Sequence, residues 1–167
     1  MATPRSTVPS RPLPTSAPEL WDALAGEAAA ESPLWRESLR SEDDREAVPI
    51  FSELCAEAHA LGLETVYEGY LAHYGRPRLF APADDDTALL LGDYLYAQGL
   101  VRIAASGDVD AVRELAELIS RCAHLRAEGI GGDGEAWVET AARLGGGPAE
   151  PDAIDRALAL HRARTER

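Results

Sequence analysis

The sequence contains no lysine and no asparagine, and it is poor in basic residues of any kind. All 16 basic residues are arginines, against 29 acidic residues, so the formal net charge is −13. A chain this acidic repels phosphate backbones and anionic lipid headgroups. We therefore expect no nucleic-acid partner.

Long apolar runs are also absent. No run approaches the roughly 20 residues that a membrane-spanning helix needs, and no apolar stretch follows the first charges, so we expect neither a transmembrane segment nor a secretory signal. The two cysteines, Cys55 and Cys122, take apolar positions of predicted helices and show no metal-ligand spacing. We expect them to be reduced core thiols of a cytoplasmic protein.

The residues that are abundant favour helices. Apolar residues make up 46% of the chain and aromatic residues only 6%, with alanine and leucine dominant. Good helix formers outnumber β-branched residues, which predicts an all-α helical bundle. Residues 1–15 hold four prolines and read as a disordered tail, with a docking peptide as the alternative. Residues 16–167 suffice for a single helical domain with a Gly-rich break at 129–134.

Apolar periodicity predicts where the helices lie. The spacing of apolar residues between Pro49 and Gly75 indicates one long helix. The segment 89–105 is apolar nearly all round, which is typical of a helix at the centre of a bundle. The acidic run 84–86 precedes that helix, and we interpret it as a helix cap, with a metal site as the alternative. The Gly-rich run lacks the preceding strand and following lysine of a phosphate-binding loop.

Three motifs in a fixed order carry a family resemblance. The segment 90–97, Leu-Leu-Gly-Asp-Tyr-Leu-Tyr-Ala, resembles the Gly-Asp helix of the trans-isoprenyl (polyprenyl) diphosphate synthases. Without a gap, residues 73–77 (His-Tyr-Gly-Arg-Pro) take the place of the family's Arg-Arg-Gly-x-Pro segment. Residues 64–68 (Glu-Thr-Val-Tyr-Glu) take the place of its first Asp-Asp-x-x-Asp motif. The resemblance covers about residues 50–128 and implies part of the isoprenoid synthase fold.

The same resemblance implies that the catalytic motifs are degenerate. In the family, aspartates bind Mg²⁺ ions that bridge to the substrate diphosphate. Here those Asp-motif positions are Glu64, Thr65 and Glu68, of which Glu64 and Glu68 remain weak candidate metal ligands, with a solvated helix face as the alternative. The diphosphate-clamp arginines are replaced by His73 and Tyr74. We therefore expect no catalytic residue and no cofactor, with Mg²⁺ only if the chain is active.

Downstream signals agree with a loss of activity. A faint match to the family's Lys-Thr-Ala helix places Glu139 where a substrate-binding cation would be, and no second Asp-rich motif follows. Asp93, in the Gly-Asp motif, is expected to be a buried carboxylate with a polar partner. The five tyrosines of 67–96 are expected in the core or at its rim, with a prenyl-accepting tunnel as the alternative.

Three functions are compatible with these expectations. The first is a non-catalytic prenyl synthase-like subunit, a pseudoenzyme that binds and modulates a catalytic polyprenyl diphosphate synthase. The second is a helical protein-interaction module with no isoprenoid role. The third is an active prenyltransferase with unorthodox metal ligands among Glu64, Glu68, Asp85 and Asp93.

The resemblance also implies which residues form a scaffold or an interface. In the family, subunits pair through helices that include the one with the Gly-Asp motif. A heteromeric partner or a second copy would then contact Gly92, Asp93, Tyr96 and Gly99. The alternative for the two glycines is simple internal packing.

Overall fold

The computed structural model describes residues 17–166, so the predicted tail and its boundary at residue 16 lie outside the described residues. The helices in this range are α1 (Ala17–Glu31), α2 (Pro33–Ser38), α3 (Glu57–Tyr74), α4 (Asp85–Ala105), α5 (Val109–Ala127), α6 (Asp133–Gly145) and α7 (Pro151–Thr165). One isolated β-bridge joins Leu39 to Phe80, and the described range contains no strand. The all-α class is confirmed. None of the described helices combines the length and the apolarity needed to cross a membrane.

The central helix is α3. Eleven of its 18 residues are buried. A larger core cluster joins α3 to α5, α6 and α7, and a smaller one joins α1 and α2 to Leu79, Phe80 and the buried face of α4. Because α1, α4, α5 and α7 all pack on α3, its side chains contact partners from distant parts of the sequence.

Helices α3 and α4 pack antiparallel across four glycines. Gly62 and Gly69 of α3 face Gly99 and Gly92 of α4, in that order. A Cβ added to Gly99 would lie 2.9 Å from the carbonyl oxygen of Gly62, and one added to Gly69 would lie 2.9 Å from that of Gly92. The two backbones therefore touch. Gly92 and Gly99 belong to this internal contact, which we call the glycine seam.

The predicted helix over 49–75 is wrong in its first part. Helix α3 begins only at Glu57, and Ser52–Leu54 forms a separate 3₁₀ turn. The backbone N–H groups of residues 50–52 all donate to one carboxylate oxygen of Glu64, at 2.9 to 3.0 Å. Donors that converge on one side chain cannot also follow a helical ladder, so the chain bends around that carboxylate. The apolar residues of this turn are buried nonetheless, which explains the misleading pattern.

The predicted central position of α4 is also wrong. The centre belongs to α3. Helix α4 packs on it through the glycine seam and Ile103, while Leu91 and Leu95 lie in the smaller core cluster with α1. Its opposite side is solvent-exposed although it is largely apolar. We call this side the outer face of α4; it consists of Asp86, Leu89, Leu90, Asp93, Ala97, Val101 and Ala104.

We expect Gly99→Ala to destabilise the fold by about 1–3 kcal/mol. The added methyl group would meet Val66 and the backbone of Gly62, which can yield only if α3 and α4 separate. Gly26→Ala is the matched control, because Gly26 is an exposed helical residue with no atom within 4 Å of an added Cβ. There the change should stabilise by about 0.5–1 kcal/mol. Urea unfolding of both variants measures the difference, and an unchanged Gly99→Ala protein would contradict a tight seam.

Candidate functional site

The glutamates at the Asp-motif positions lie at the centre of the fold. Glu64 and Glu68, one turn apart on α3, are 0% exposed, and so is Arg78 from the loop between α3 and α4. Arg78 Nη1 donates to Glu64 Oε2 at 2.6 Å, and its Nε donates to Glu68 Oε2 at 2.9 Å. We call these three residues the buried triad. The solvated helix face, given above as the alternative for the two glutamates, is wrong because both side chains are fully buried.

Backbone groups use the remaining carboxylate oxygens. Oε1 of Glu64 accepts the three N–H groups of residues 50–52. Oε1 of Glu68 accepts the N–H of Leu79 at 2.8 Å. Within the described residues, each of the four carboxylate oxygens therefore has a donor, which is the condition for keeping such groups buried. The triad joins α3 to the segments that precede and follow it.

Aromatic rings and a carbonyl group complete the surroundings of Arg78. Its guanidinium carbon lies 4.3 Å from the ring centroid of Trp21 and 5.0 Å from that of Tyr67. Its Nη1 also donates to the carbonyl oxygen of Val48 at 3.0 Å. The rings exclude water from the guanidinium and attract it through their π faces.

The electrostatics of the triad keep Glu64 and Arg78 charged. Burial by itself would raise the pKa of Glu64, but the Arg78 guanidinium and the backbone N–H groups outweigh it and hold that pKa below its ordinary value. Burial would likewise lower the pKa of Arg78, but the two adjacent glutamates raise it. The pair is thus a charged structural element.

The triad occupies the ligands that a Mg²⁺ site at these positions would need. Magnesium requires carboxylate or water oxygens in an octahedral arrangement, and here a guanidinium bridges the two carboxylates. The hydroxyl oxygen of Thr65 accepts a hydrogen bond from Nε of Arg102 at 3.3 Å, which places a second cation beside these positions, and the hydroxyl donates to the carbonyl oxygen of Leu61 at 2.6 Å. Across residues 17–166, no group of three or more His, Cys, Asp or Glu side chains is placed to hold a metal ion.

The clamp positions line an open groove at the end of α3. The groove has a volume of about 520 Å³ and is lined by His73, Tyr74, Ala123, Arg126, Ala127 and Thr165. Nε2 of His73 lies 3.2 Å from Oδ1 of Asp93. Burial lowers the pKa of His73, against the opposing effect of Asp93, so the imidazole is not a standing cation at neutral pH. Asp93 itself is 69% exposed, so the buried carboxylate expected there is wrong.

A second polar cluster, which the sequence did not reveal, joins α3 to α5, α6 and α7. Arg126 donates to the hydroxyl of Tyr70 through Nη2 at 2.6 Å and Nε at 2.9 Å, and to Oδ2 of Asp133 at 2.5 Å. The Tyr70 hydroxyl also donates to Asp133. His161 lies between the two ends, with Nε2 3.3 Å from Asp133 Oδ2 and Nδ1 3.0 Å from the Tyr67 hydroxyl.

This cluster has groups that could move protons, but it is sealed from solvent at its inner end. Tyr67 is 0% exposed and His161 is 3% exposed. Burial raises the pKa of Tyr67 and of Tyr70, so both hydroxyls stay protonated. Burial would raise the pKa of Asp133, but its contacts with His161, Tyr70 and Arg126 hold it well below the ordinary value. The arrangement therefore ties α6 and α7 to α3, and we assign it no reaction.

The remaining predicted positions are in the core or on the surface. The ring of Tyr96 packs on that of His73, with centroids 5.1 Å apart. Glu139 is exposed and forms ion pairs with Arg121 and Arg143, at 2.8 and 2.7 Å. Its carboxylate is thus compensated on the protein surface.

The two cysteines are free thiols without nucleophilic character. Cys122 is buried and Cys55 is partly buried. Burial raises the pKa of each thiol to about 12. Neither is present as the thiolate at neutral pH.

We expect Arg78→Met to lower the free energy of unfolding by about 3–5 kcal/mol, because both glutamates would remain buried without a counter-charge. Methionine retains part of the apolar stem that packs on Trp21. Arg113→Met is the control, since Arg113 is 57% exposed and makes only surface ion pairs, which contribute little. Urea unfolding at neutral pH gives both values. A loss below about 1 kcal/mol for Arg78→Met would mean that the triad is not the central constraint.

We expect Glu64 to make the fold sensitive to acid. Its pKa is lower in the folded state than in the unfolded state, so its contribution to stability is present above the unfolded pKa of about 4.3 and is lost as the pH falls through the folded pKa. Glu64→Gln should therefore flatten the decline of unfolding free energy between about pH 5 and pH 2. Glu57→Gln, at an exposed position of the same helix, should leave the decline as in the parent chain. Equal slopes in all three proteins would exclude this role.

Comparison with known proteins identifies no relative of this chain. No protein-family model, no curated protein and no solved structure matches it.

Proposed function

We propose that this chain is a non-catalytic helical subunit that acts by binding another protein, and that a catalytic polyprenyl diphosphate synthase is that partner. The observation that carries the proposal is the outer face of α4. Leu89, Leu90 and Val101 are 54%, 55% and 62% exposed on one side of a single helix.

An exposed apolar helix face is unfavourable unless a partner covers it. A helix that is apolar all round normally has neighbours on every side. Here α3 covers one side of α4, and the other side presents three large apolar side chains, with Asp93 and Ala97 between Leu90 and Val101 and with Ala104 beyond them. Contiguous apolar surface of this kind marks sites where proteins associate. Burial of each large side chain is worth roughly 1.5–3 kcal/mol.

The buried triad supports the non-catalytic part of the proposal. An active prenyltransferase built on Glu64 and Glu68 would have to displace Arg78 and to break the backbone hydrogen bonds that Glu64 accepts. Asp85 and Asp93 are exposed and belong to α4, so they offer no enclosed site with these two residues. The partner's identity is supported by the order of the three motifs and by the location of the exposed face on the Gly-Asp helix, through which subunits of that family pair.

We expect the chain to copurify with a polyprenyl diphosphate synthase of its own genome when the two are coexpressed, and to change the length or amount of the synthase's product. Ala97→Arg should abolish copurification, because it places a charged side chain in the middle of the outer face. Ala116→Arg is the matched control, since Ala116 is an exposed alanine of α5 away from that face. Circular dichroism would verify that both variants fold.

Other results would point to the remaining functions. If no synthase binds or changes its product, the chain is an interaction module without an isoprenoid role. Mg²⁺-dependent turnover of an allylic diphosphate by the chain alone, lost in a folded Glu64→Gln variant, would establish an active prenyltransferase and refute the proposal.

A further inference from the structure

We infer that the outer face of α4 binds a helix of a different protein, which runs antiparallel to α4 and carries basic residues in its last turn. This inference deepens the proposed function, since it concerns the same surface. It depends on α4 being a docking helix, but it does not depend on the partner being a prenyl synthase.

Charge is distributed unevenly along α4. Asp84 caps the helix by accepting the N–H of Thr87 at 2.7 Å, and the exposed Asp85 and Asp86 follow it. Within residues 17–166, none of these three carboxylates forms an ion pair. A partner that brings cations to this end of the helix would gain charge pairs that the chain itself does not supply.

The middle and the other end of the helix differ from this acidic start. Asp93 lies about two helical turns after Asp86 on the outer face. Among the described residues, the only ion-pair partner of its carboxylate is the partly buried imidazole of His73. The single basic residue of α4, Arg102, lies near its C-terminal end and is already paired with Glu27 at 2.5 Å. Negative charge without a counter-ion is therefore concentrated in the first half of the helix.

A second copy of the chain fits this surface poorly. In an antiparallel pair centred on Ala97, Asp93 would lie opposite Val101, and Asp86 would lie beyond the end of the other α4, which stops at Ala105 and whose only arginine is already paired with Glu27. A parallel pair would place each aspartate against its own copy. Each chain also carries a formal charge of −13, so the two copies repel each other overall. Charge complementarity thus selects a different protein as the occupant.

The direction of the partner helix follows from its own dipole. Cations in the last turn of a helix stabilise that helix, because they lie beside its unpaired carbonyl groups. Only an antiparallel arrangement brings such a last turn to the acidic start of α4. Ala97 lies between Leu90 and Val101 on the outer face and Ala104 lies just beyond Val101, so their small size leaves room for a partner's ridges on either side of Val101.

Synthetic peptides test this inference directly. Three labelled amphipathic peptides of about 20 residues, the length of a helix that spans α4, would share one Leu/Ala stripe. They would carry two arginines in the last turn, two arginines in the first turn, or two glutamates in the last turn. We expect the first peptide to bind the full chain about tenfold more tightly than the third at low salt, from two charge pairs. The second should bind more weakly than the first, and the differences should shrink in high salt.

Variants of the chain connect that preference to α4. The double variant Asp85→Asn/Asp86→Asn keeps the Asp84 cap and should remove most of the preference for the arginine-ended peptide. Ala97→Arg should abolish binding of all three peptides, whereas Ala116→Arg should leave it unchanged. Fluorescence anisotropy measures each affinity.

Several results would overturn the inference. These are no binding of the arginine-ended peptide, equal affinity for the glutamate-ended peptide, and a dimer of the chain that Ala97→Arg dissociates, which would make a second copy the occupant. The outcome is separable from that of the proposed function. Peptide binding in the expected order without any synthase partner supports this inference alone, whereas a synthase that still binds the Ala97→Arg chain contradicts this inference alone.

Discussion

The ion pairs between Arg78 and the two glutamates of α3 determine how the segments before and after α3 pack against that helix. Because Glu64 also accepts three backbone N–H groups, the segment before α3 must bend around its carboxylate, and the loop after α3 must return to place the guanidinium. Such a buried ion pair often stabilises a fold no more than well-packed apolar residues would in its place. Removal of one partner alone, however, is severely destabilising. We interpret the triad as a device that selects one path for the chain, in which α1 and its Trp21 cover the arginine.

Much of the helical content could be predicted from the sequence, because apolar spacing and caps are local signals. The start of α3 could not be predicted, because the backbone N–H groups of residues 50–52 donate to the carboxylate of Glu64 and not to a helical carbonyl group. That carboxylate lies 12 to 14 residues later in the chain. The tie between Tyr70 and Asp133 spans 63 residues and leaves no local pattern at all. The outer position of α4 was missed for a different reason: a pattern reports how apolar a face is, but not whether this chain or another covers it.

The motif resemblance and the packing give different explanations for the same residues. Glu64 and Glu68, which the resemblance aligns with the Asp-rich motif, bind the guanidinium of Arg78. At the Gly-Asp positions, Gly92 allows backbone contact with α3 while Asp93 is exposed beside His73. The length of the glutamate side chain suits this use, since Glu64 and Glu68 reach across to the loop that carries Arg78. The charge of Glu64 and Glu68 thus contributes to the stability of the fold.

The glycine seam has a consequence for how this protein can diverge. Contact between the two backbones allows one register, so α4 is held at a fixed height and rotation by residues that all lie on its inner side. The outer face takes no part in that contact and can accept new side chains without disturbing it. Separate residues of one helix therefore control folding and the choice of partner. Substitutions on the outer face can change recognition, while the inner residues stay constrained by packing in the core.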